Sequence, residues 1–386
     1  MNNFQKILLV NPPIRLQSKP VNPPLGLMYI QKYLELNGIS SELLDLNLRR
    51  NIDLFSSGYI NENVKIVGIG GLITTYNYVK QIVVEIKRKF SEILIVLGGS
   101  LSSPIPEIIF NNMPADIVVK GAGEITFFEL CVRILNNESY KSVKGIYYRE
   151  NNKTIFTGDS ERKLDIDEIP IPYYKKEDIE KYIENQSEDM KPLFYKAFGD
   201  KIQNNFRSIS IITGRGCIGN CTFCYRQFGR LFLKNSVSNV IKHIIYLKEN
   251  YNVNCFSIID EVFLIKKDWA EQFIESVKKE KLDIWFRYGT RADFIIKHKN
   301  LLYALKEIGG LFDGIAVESG SRIVLDAMKK NISVEQNQEA VNIIKDLNPD
   351  FMTTFLIGLP PENRQTLSDS VKFYLKNNID SCRIGV

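Results

Sequence analysis

The sequence predicts an α/β protein with two parallel-sheet domains in succession. In both halves of the 386-residue chain, short apolar runs alternate with segments of helical periodicity, which is the pattern of strands wrapped by helices. Glycines follow nearly every apolar run of the first half, and the length suits two domains. We therefore expect a Rossmann-like (flavodoxin-like) domain over 1–140, a connector over 141–205 and a second domain over 206–386.

The first domain opens with the apolar run 7–10, a buried strand that Asn11-Pro12-Pro13 ends. The same reasoning predicts strands at 42–46, 66–69, 93–97 and 117–119, and helices at 26–37, at 78–90 and up to Leu135. The glycines after these strands would let backbone come close to a ligand at the carboxyl edge of the sheet, where open α/β folds bind their ligands.

The connector combines two patterns. Residues 145–157 alternate as a short hairpin with its turn at 150–153. Prolines and acids over 165–174 indicate a linker, and the polar stretch 175–205 has helical periodicity.

The second half repeats strand and helix. Strands are predicted at 209–213, 256–259, 285–288, 314–317, 352–357 and 381–386. Since active sites on parallel barrels gather at the carboxyl ends of strands, the residues that follow these runs are the candidates for function. The chain stops inside the sixth strand, which suggests a truncated form or a short natural one.

The bulk composition indicates an ordinary globular protein. Hydrophobic residues make up 44% and charged residues 25% of the chain, and the net charge of +5 is spread along it. We expect neither a nucleic-acid partner nor a membrane span, since we find no leader and no apolar stretch long enough for a bilayer. Six cysteines, three of them in one loop, suit a reducing cytoplasm, and Cys131, Cys255 and Cys382 lie in apolar surroundings typical of packing residues.

Three cysteines carry the most specific motif. Cys217, Cys221 and Cys224 fall within one short loop, so they can aim three thiolates at one soft metal centre, as in iron–sulfur proteins. A four-iron cluster would keep one iron open for a ligand other than protein. A zinc knuckle or a chance cluster of thiols is the alternative. A zinc site would need a fourth ligand, and the nearest candidates, His243 and Cys255, are remote in sequence.

This loop resembles the signature of the radical S-adenosylmethionine (SAM) enzymes, with Phe223 in the usual aromatic place. The resemblance implies that SAM chelates the open iron of a 4Fe-4S cluster and is reductively cleaved to a 5′-deoxyadenosyl radical. It also implies a partial (β/α)6 barrel and a reductant such as flavodoxin or ferredoxin. Members of that family usually continue beyond the sixth strand.

The resemblance also implies residues for SAM. Asp260 and Glu261 follow the second strand, where the family places an acid for the SAM amino group; Glu261 is the first choice, and solvated loop acids are the alternative. Strand alternation would put Arg287 and Arg291 on one face, where an arginine could hold a carboxylate. Arg291 matches the family better, and Arg287 could equally form a structural ion pair.

The fourth strand ends in Glu318 and Ser319, which match a family motif that contacts the ribose or the amino acid portion of SAM. A carboxylate after the apolar run 315–317 is costly to bury unpaired, so a ligand or an arginine partner is expected. The motif at 358–362 would shape backbone near the adenine.

Over residues 4–136 the chain resembles the cobalamin-binding domain that precedes many radical SAM cores. The order and spacing of several short motifs carry this resemblance, namely 11–13, 23–27, 70–74, 98–100 and 121–124. The implied cobalamin contacts are Leu72, Ile73, Thr74, Gly98, Gly99, Ser100, Gly121, Gly123 and Glu124. A domain that only scaffolds is the alternative. No dinucleotide fingerprint or Walker lysine motif is present, so a nicotinamide or ATP site is not favoured.

Histidine marks a departure from that family. Many cobalamin domains supply a histidine to cobalt, but this chain has only His243 and His298, both in the second half. Cobalamin would therefore bind without a protein imidazole, and the loop 72–76 is the candidate for its lower face.

Together these observations predict a cobalamin-dependent radical SAM enzyme that methylates an unactivated carbon of a small molecule. Ring closure, rearrangement, phosphorus methylation and a non-catalytic cobalamin or redox-binding role are the alternatives. A methylthiotransferase would carry a second cysteine triad in the first half, which here has only Cys131. No residue identifies the substrate.

Overall fold

The structure is a computed structural model that describes residues 6–14, 17–50, 52–160, 165–169, 171–202, 205–229, 231–312, 314–379 and 381–385. It divides into two compact units, one of residues 1–185 with 227–229 and one of residues 186–226 with 230–386. The end of the predicted sixth strand, Val386, lies outside the described residues.

The first unit is built on a sheet that has seven strands within its described residues. They are β1 (Lys6–Asn11), β2 (Glu42–Asp45), β3 (Val64–Gly70), β4 (Leu94–Gly98), β5 (Ile117–Val119), β6 (Ile146–Glu150) and β7 (Lys153–Phe156). The order is β2-β1-β3-β4-β5-β6-β7; β1 to β5 are parallel, and β6 is antiparallel to β5 and to β7. The parallel sheet of the prediction is confirmed. The predicted hairpin exists but extends this sheet, so assigning it to a connector was wrong.

Helices cover both faces of this sheet. They are α1 (Leu25–Leu36), α2 (Tyr76–Lys89), α3 (Pro106–Asn112) and α4 (Glu124–Leu135); α3 was not predicted. Alternate residues of β1 enter different cores: Leu8 and Val10 pack with α2, whereas Ile7 and Leu9 pack with α1 and α4. A strand buried on both faces reads as a continuous apolar run, which is how its sequence revealed it.

The long helix α5 (Lys176–Phe198) follows, as the periodicity of 175–205 predicted. The division between the two units falls inside it, after Asn185. Its first half belongs to the first unit, where the Tyr182 hydroxyl donates to Asp45 at 2.6 Å and Asp178 pairs with Arg49.

The second unit holds two parallel sheets and a short antiparallel ladder within its described residues. The strands are β8 (Ser208–Ile211), β9 (Gly214–Arg215), β10 (Leu233–Lys234), β11 (Cys255–Ile258), β12 (Trp285–Tyr288), β13 (Gly310–Phe312), β14 (Gly314–Glu318), β15 (Met352–Leu356) and β16 (Ser381–Gly385). The sheets have the orders β13-β12-β11-β8 and β14-β15-β16, and β9 pairs with β10. β13 and β14 belong to different sheets, although only residue 313, which lies outside the described residues, separates them in sequence.

Helices connect successive parallel strands, as predicted for a (β/α) repeat, except between β13 and β14. They are α6 (Val237–Tyr251), α7 (Lys267–Lys279), α8 (Ala292–Lys297), α9 (Lys299–Glu307), α10 (Arg322–Ala327), α11 (Val334–Leu347) and α12 (Arg364–Lys376). Buried aromatic rings from Phe256, Phe273, Phe286 and Tyr288 fill the space around β11 and β12. Within the described part of the chain, no helix has the length and apolar character that crossing a membrane requires.

Candidate active site

The cysteine loop, residues 216–226, leaves β9 at the carboxyl end of β8. Cys217 and Cys221 are half-buried and Cys224 is exposed. Gly219 lies between the first two thiols: a Cβ there would stand 3.3 Å from the Cys217 sulfur and 3.8 Å from the Cys221 sulfur. The Gly219 N–H also donates to the Cys217 sulfur at 3.3 Å. The loop therefore folds back on itself and brings the first two sulfurs to one glycine.

The donor set of this loop fits an iron–sulfur cluster. The three sulfurs belong to one short segment. Among the described residues, no three Cys, His, Asp or Glu side chains converge on a point that a single ion would occupy. Thiolates of a four-iron cluster each bind a different iron, so they need not converge in that way.

A buried ion pair holds the chain just before the cysteine loop. Asp260 accepts hydrogen bonds from the backbone N–H groups of Thr213 (2.7 Å) and Gly214 (3.0 Å). Lys234 reaches the same carboxylate at 2.9 Å, and these two side chains are only 1% and 2% exposed. Burial lowers the pKa of Lys234, against the opposing effect of Asp260. Asp260 is thus fully engaged within the protein.

Glu261 lies beside the cysteine loop instead. It follows Asp260 in the chain, is exposed, and accepts a hydrogen bond from the Gly216 N–H at 3.0 Å. Both acids come after the last residue of β11, so the alternation of side chains along a strand does not decide which of them faces the site. Their partners distinguish them: Asp260 is buried in an ion pair, whereas Glu261 has an exposed carboxylate next to the cysteine loop.

Arg291 also reaches the cysteine loop. Its Nη1 lies 3.9 Å from the Cys221 sulfur, its Nη2 donates to the Lys330 carbonyl at 2.9 Å, and its Nε pairs with Asp293 at 3.0 Å. The expectation that Arg287 and Arg291 share a strand face was wrong, because β12 ends at Tyr288 and Arg291 caps α8. Arg287 donates to the Ser257 hydroxyl at 2.7 Å.

Glu318 and Ser319 are both buried at the end of β14. Glu318 has a φ of +65°, a backbone state that costs a side chain about 1–2 kcal/mol. Its partner within the protein is Lys330 at 3.2 Å; of the two expected partners, the arginine was wrong and the ligand stays a prediction. Burial lowers the pKa of this lysine. The Ser319 hydroxyl contacts that of Ser370 at 3.1 Å and accepts from the Ser321 N–H.

In the first unit, the loop after β3 presents apolar side chains to its surroundings. Leu72 is 48% exposed and Ile73 54% exposed, and Thr74 is exposed beside them. A 3-10 turn over Ile73–Thr75 holds them, since the buried Thr75 hydroxyl donates to the Leu72 carbonyl at 2.7 Å. A fixed turn with an outward apolar face suits a flat organic ligand.

The glycine-rich loops next to this turn pack tightly. Gly99 has a φ of +78°, and a Cβ there would lie 2.9 Å from the Gly71 carbonyl oxygen. A Cβ at Gly98 would meet nothing within 4 Å. Packing between the two loops therefore explains the glycine at position 99. The space next to Gly98 is open, so packing does not require a glycine there.

The remaining candidates of this unit lie at the same carboxyl edge. Ser100 is half-buried. Gly121 also has a positive φ, +78°, and a Cβ at Gly123 would lie 3.0 Å from the Ile30 side chain. Glu124 begins α4 and is 2% exposed, so its carboxyl group lies inside the unit.

Sequence reasoning missed the lysines that organise the second unit. Lys234 and Lys330 are each buried against a carboxylate, whereas lysines are almost never buried unless paired. Thr222, inside the cysteine loop, was missed as well: its N–H donates to the Met328 carbonyl at 2.9 Å. No local pattern marks these residues, because the partners are distant in sequence.

Comparison with known proteins agrees with the two-unit architecture. The model of the radical SAM superfamily matches residues 211–374, and the model of the B12 binding domain matches residues 13–131. The uncharacterized methyltransferase PH0819 of Pyrococcus horikoshii is 30% identical over 399 residues, covering 99% of this chain and 80% of the relative. The chain is therefore a radical SAM enzyme. It belongs to the members of that superfamily that carry a cobalamin-binding domain.

A more distant relative and a solved structure are also similar to this chain. The anaerobic magnesium-protoporphyrin IX monomethyl ester cyclase of a Synechocystis species is 23% identical, over 89% of this chain and 67% of the relative. The solved structure of the radical SAM methyltransferase TsrM of Kitasatospora setae, with cobalamin and a [4Fe-4S] cluster bound, superposes with a TM-score of 0.79 at 16% identity. It covers 99% of this chain and 72% of TsrM, which shows a shared fold.

Proposed function

We propose that this protein is a cobalamin-dependent radical SAM methyltransferase that acts on an unactivated carbon of a small molecule. The observation that carries the proposal is the coexistence of two sites in one chain. One unit holds a three-cysteine loop at the carboxyl edge of its sheets, and the other holds an apolar, glycine-lined loop edge of the B12-binding type.

In this proposal Cys217, Cys221 and Cys224 are the cluster ligands. When bound, the cluster with SAM supplies a 5′-deoxyadenosyl radical, and cobalamin supplies a methyl group. The chain's own residues bind and orient. Phe223, 37% exposed within the loop, would lie near the cluster, and Glu261, which accepts from the Gly216 N–H, would hold the SAM amino group.

We assign Arg291 to the neutralisation of negative charge at this site. Its guanidinium lies against Cys221, so it faces the thiolate charge, and a SAM carboxylate on the open iron would fall within the same field. Glu318 and Ser319 are already satisfied by internal partners. They would therefore contribute to the SAM site by fixing the end of β14.

For cobalamin, we propose that three loop ends form the contact surface. They are Leu72, Ile73 and Thr74; Gly98, Gly99 and Ser100; and Gly121, Gly123 and Glu124. The exposed Leu72 and Ile73 would lie under the corrin, and because the first half contains no histidine, no protein imidazole would bind cobalt. Glu124 would contribute from a buried position at the start of α4.

The wider setting is also proposed. We expect a small-molecule substrate, a one-electron donor such as flavodoxin or ferredoxin, and a cytoplasmic location, where thiols stay reduced. Ring closure is the second candidate, favoured by the similarity to the cyclase relative. A methyltransferase releases S-adenosylhomocysteine as well as 5′-deoxyadenosine. Release of S-adenosylhomocysteine during turnover therefore distinguishes methyl transfer from ring closure.

The test is anaerobic reconstitution with iron, sulfide and hydroxocobalamin, followed by reduction in the presence of SAM. We expect bound iron, bound cobalamin and both SAM products. Cys217→Ala should lose 5′-deoxyadenosine, whereas Cys382→Ala, a cysteine on β16 outside the loop, should keep it. Normal 5′-deoxyadenosine from a folded Cys217→Ala protein would sink the proposal.

The cobalamin surface has its own test. Ile73→Asp places a charge on the proposed lower face and should weaken hydroxocobalamin binding at least ten-fold. Val84→Asp is the control, since Val84 is 43% exposed on α2. Equal binding by both variants, measured by equilibrium dialysis, would reject the assignment of the 72–74 loop.

A further inference from the structure

A turn at the end of α10 supports the second half of the cysteine loop. This turn comprises residues 327–330, and its carbonyl groups point to the loop: Met328 accepts from the Thr222 N–H at 2.9 Å and Ala327 from the Thr222 hydroxyl at 3.3 Å. The Lys330 carbonyl accepts from Arg291 at 2.9 Å. Three backbone oxygens of one turn thus hold the residue after Cys221 and the arginine opposite its sulfur.

The turn needs a restraint of its own. Lys329 in the turn and Asn331 directly after it both have positive φ, +52° and +58°, conformations that side-chain-bearing residues adopt at a cost. Met328 is buried with Val324 and Leu325 in a small apolar cluster. Such a backbone persists only where its surroundings determine it.

Lys330 provides that restraint. Its ammonium group donates to the Ala316 carbonyl and to Glu318, and the two side chains of the ion pair are 5% and 8% exposed. Both partners belong to β14, so the lysine ties the turn to a strand of the parallel sheet. Since a buried lysine–carboxylate pair stabilises little by itself, a positional role explains why the charge is inside.

We propose that Lys330 is a positioning residue for the iron–sulfur site: by fixing the 327–330 turn, it sets the place of Thr222 and of Arg291 against Cys221. This inference rests on the proposed function, since the loop is taken as the cluster loop. It predicts two effects of losing the buried ammonium group. The cysteine loop becomes more mobile in the protein without a cluster, and the reduction potential of the cluster changes in the reconstituted protein.

The first measurement uses the protein without a cluster. Trypsin cleavage after Arg226, which lies in the cysteine loop and donates to Asn220 at 2.8 Å, is followed by mass spectrometry at limiting protease. Lys330→Met should raise the cleavage rate at this site at least five-fold. Lys329→Met is the matched control, because it makes the same substitution at an exposed neighbour. Glu318→Gln, which keeps an acceptor for the lysine, should fall between the two.

The second measurement uses the reconstituted protein. Lys330→Met removes a positive charge and leaves the Glu318 carboxylate without its cation. It also releases Arg291 from its fixed place beside Cys221. Because less positive charge then faces the cluster, its reduction should become less favourable. We expect an equilibrium shift of about ten-fold, 59 mV for a one-electron couple, by redox titration with electron paramagnetic resonance. Lys329→Met removes the same formal charge and should shift it much less.

The outcomes separate the inference from the proposed function. If the unaltered protein binds no iron, the proposed function fails, and the trypsin rates still decide the role of Lys330. If Lys330→Met and Lys329→Met are cleaved at the same rate and their clusters have equal potentials, the positioning role is wrong. If Lys330→Met does not fold, Glu318→Gln decides by the same two measurements.

Discussion

Replacing Lys234 by methionine should destabilise the second unit by about 3–5 kcal/mol. The Lys234 nitrogen lies 2.9 Å from Asp260, and both side chains are almost fully buried. At an effective dielectric constant of about 20, this separation corresponds to about 6 kcal/mol of attraction, which offsets a desolvation cost of several kcal/mol for each ion. The variant loses the attraction and keeps a buried carboxylate, and three hydrogen bonds from Thr213 and Gly214 only partly compensate.

Tryptophan fluorescence during urea unfolding measures the loss of unfolding free energy in the second unit. The chain has two tryptophans, Trp269 and Trp285, both in the second unit. The Lys234→Met, Asp260→Asn double variant should recover part of the loss, because it buries no unpaired charge. Lys267→Met removes a surface partner of Glu271 and should change stability by less than about 0.5 kcal/mol. If Lys234→Met behaves like that control, the buried pair does not hold Asp260 as argued.

Two more predictions concern single positions. Gly99→Ala should destabilise the first unit by about 2 kcal/mol or more, through its positive φ and the Gly71 oxygen at 2.9 Å, whereas Gly98→Ala should cost under about 1 kcal/mol; equal melting temperatures by circular dichroism would contradict this. Burial lowers the pKa of His243 to about 4. Between pH 6.5 and 4 the unfolded chain therefore binds a proton that the folded imidazole does not. The contribution of the buried neutral imidazole to stability is complete above pH 6.5 and is lost as the pH falls toward 4. The free energy of unfolding of the second unit should drop by about 3 kcal/mol over that window, and a His243→Gln protein with the same pH slope would refute the assignment.

Strands such as β1, β5, β8 and β11 are buried on both faces, and each therefore reads in the sequence as one apolar run. Local patterns failed where the answer depends on distant partners. The 146–156 hairpin has the correct turn, but only its pairing with β5 shows that it belongs to the first sheet. Arg291 was placed on a strand face because the end of β12 could not be located from alternation alone.

The candidate site divides in the same way. The cysteine spacing is local, so the loop could be predicted from the sequence. The choice of Glu261 over Asp260 stays a prediction; Glu261 accepts from the Gly216 N–H, whereas Asp260 is buried against Lys234. The partner of Glu318 is Lys330, in a turn beyond α10. Its place depends on where that helix ends, and this information is not contained in the composition of the β14 segment.

The two missed lysines have a common physical purpose. Lys234 with Asp260 fixes the backbone just before Cys217, and Lys330 with Glu318 fixes the turn that holds Thr222 after Cys221. Buried ion pairs are a poor source of stability, since apolar residues of similar volume do as well or better. They are a good source of position, because each fixes the distance between two backbone segments through directional contacts. Since one pair lies at each side of a single loop, the position of that loop explains these buried charges better than the stability of the fold does.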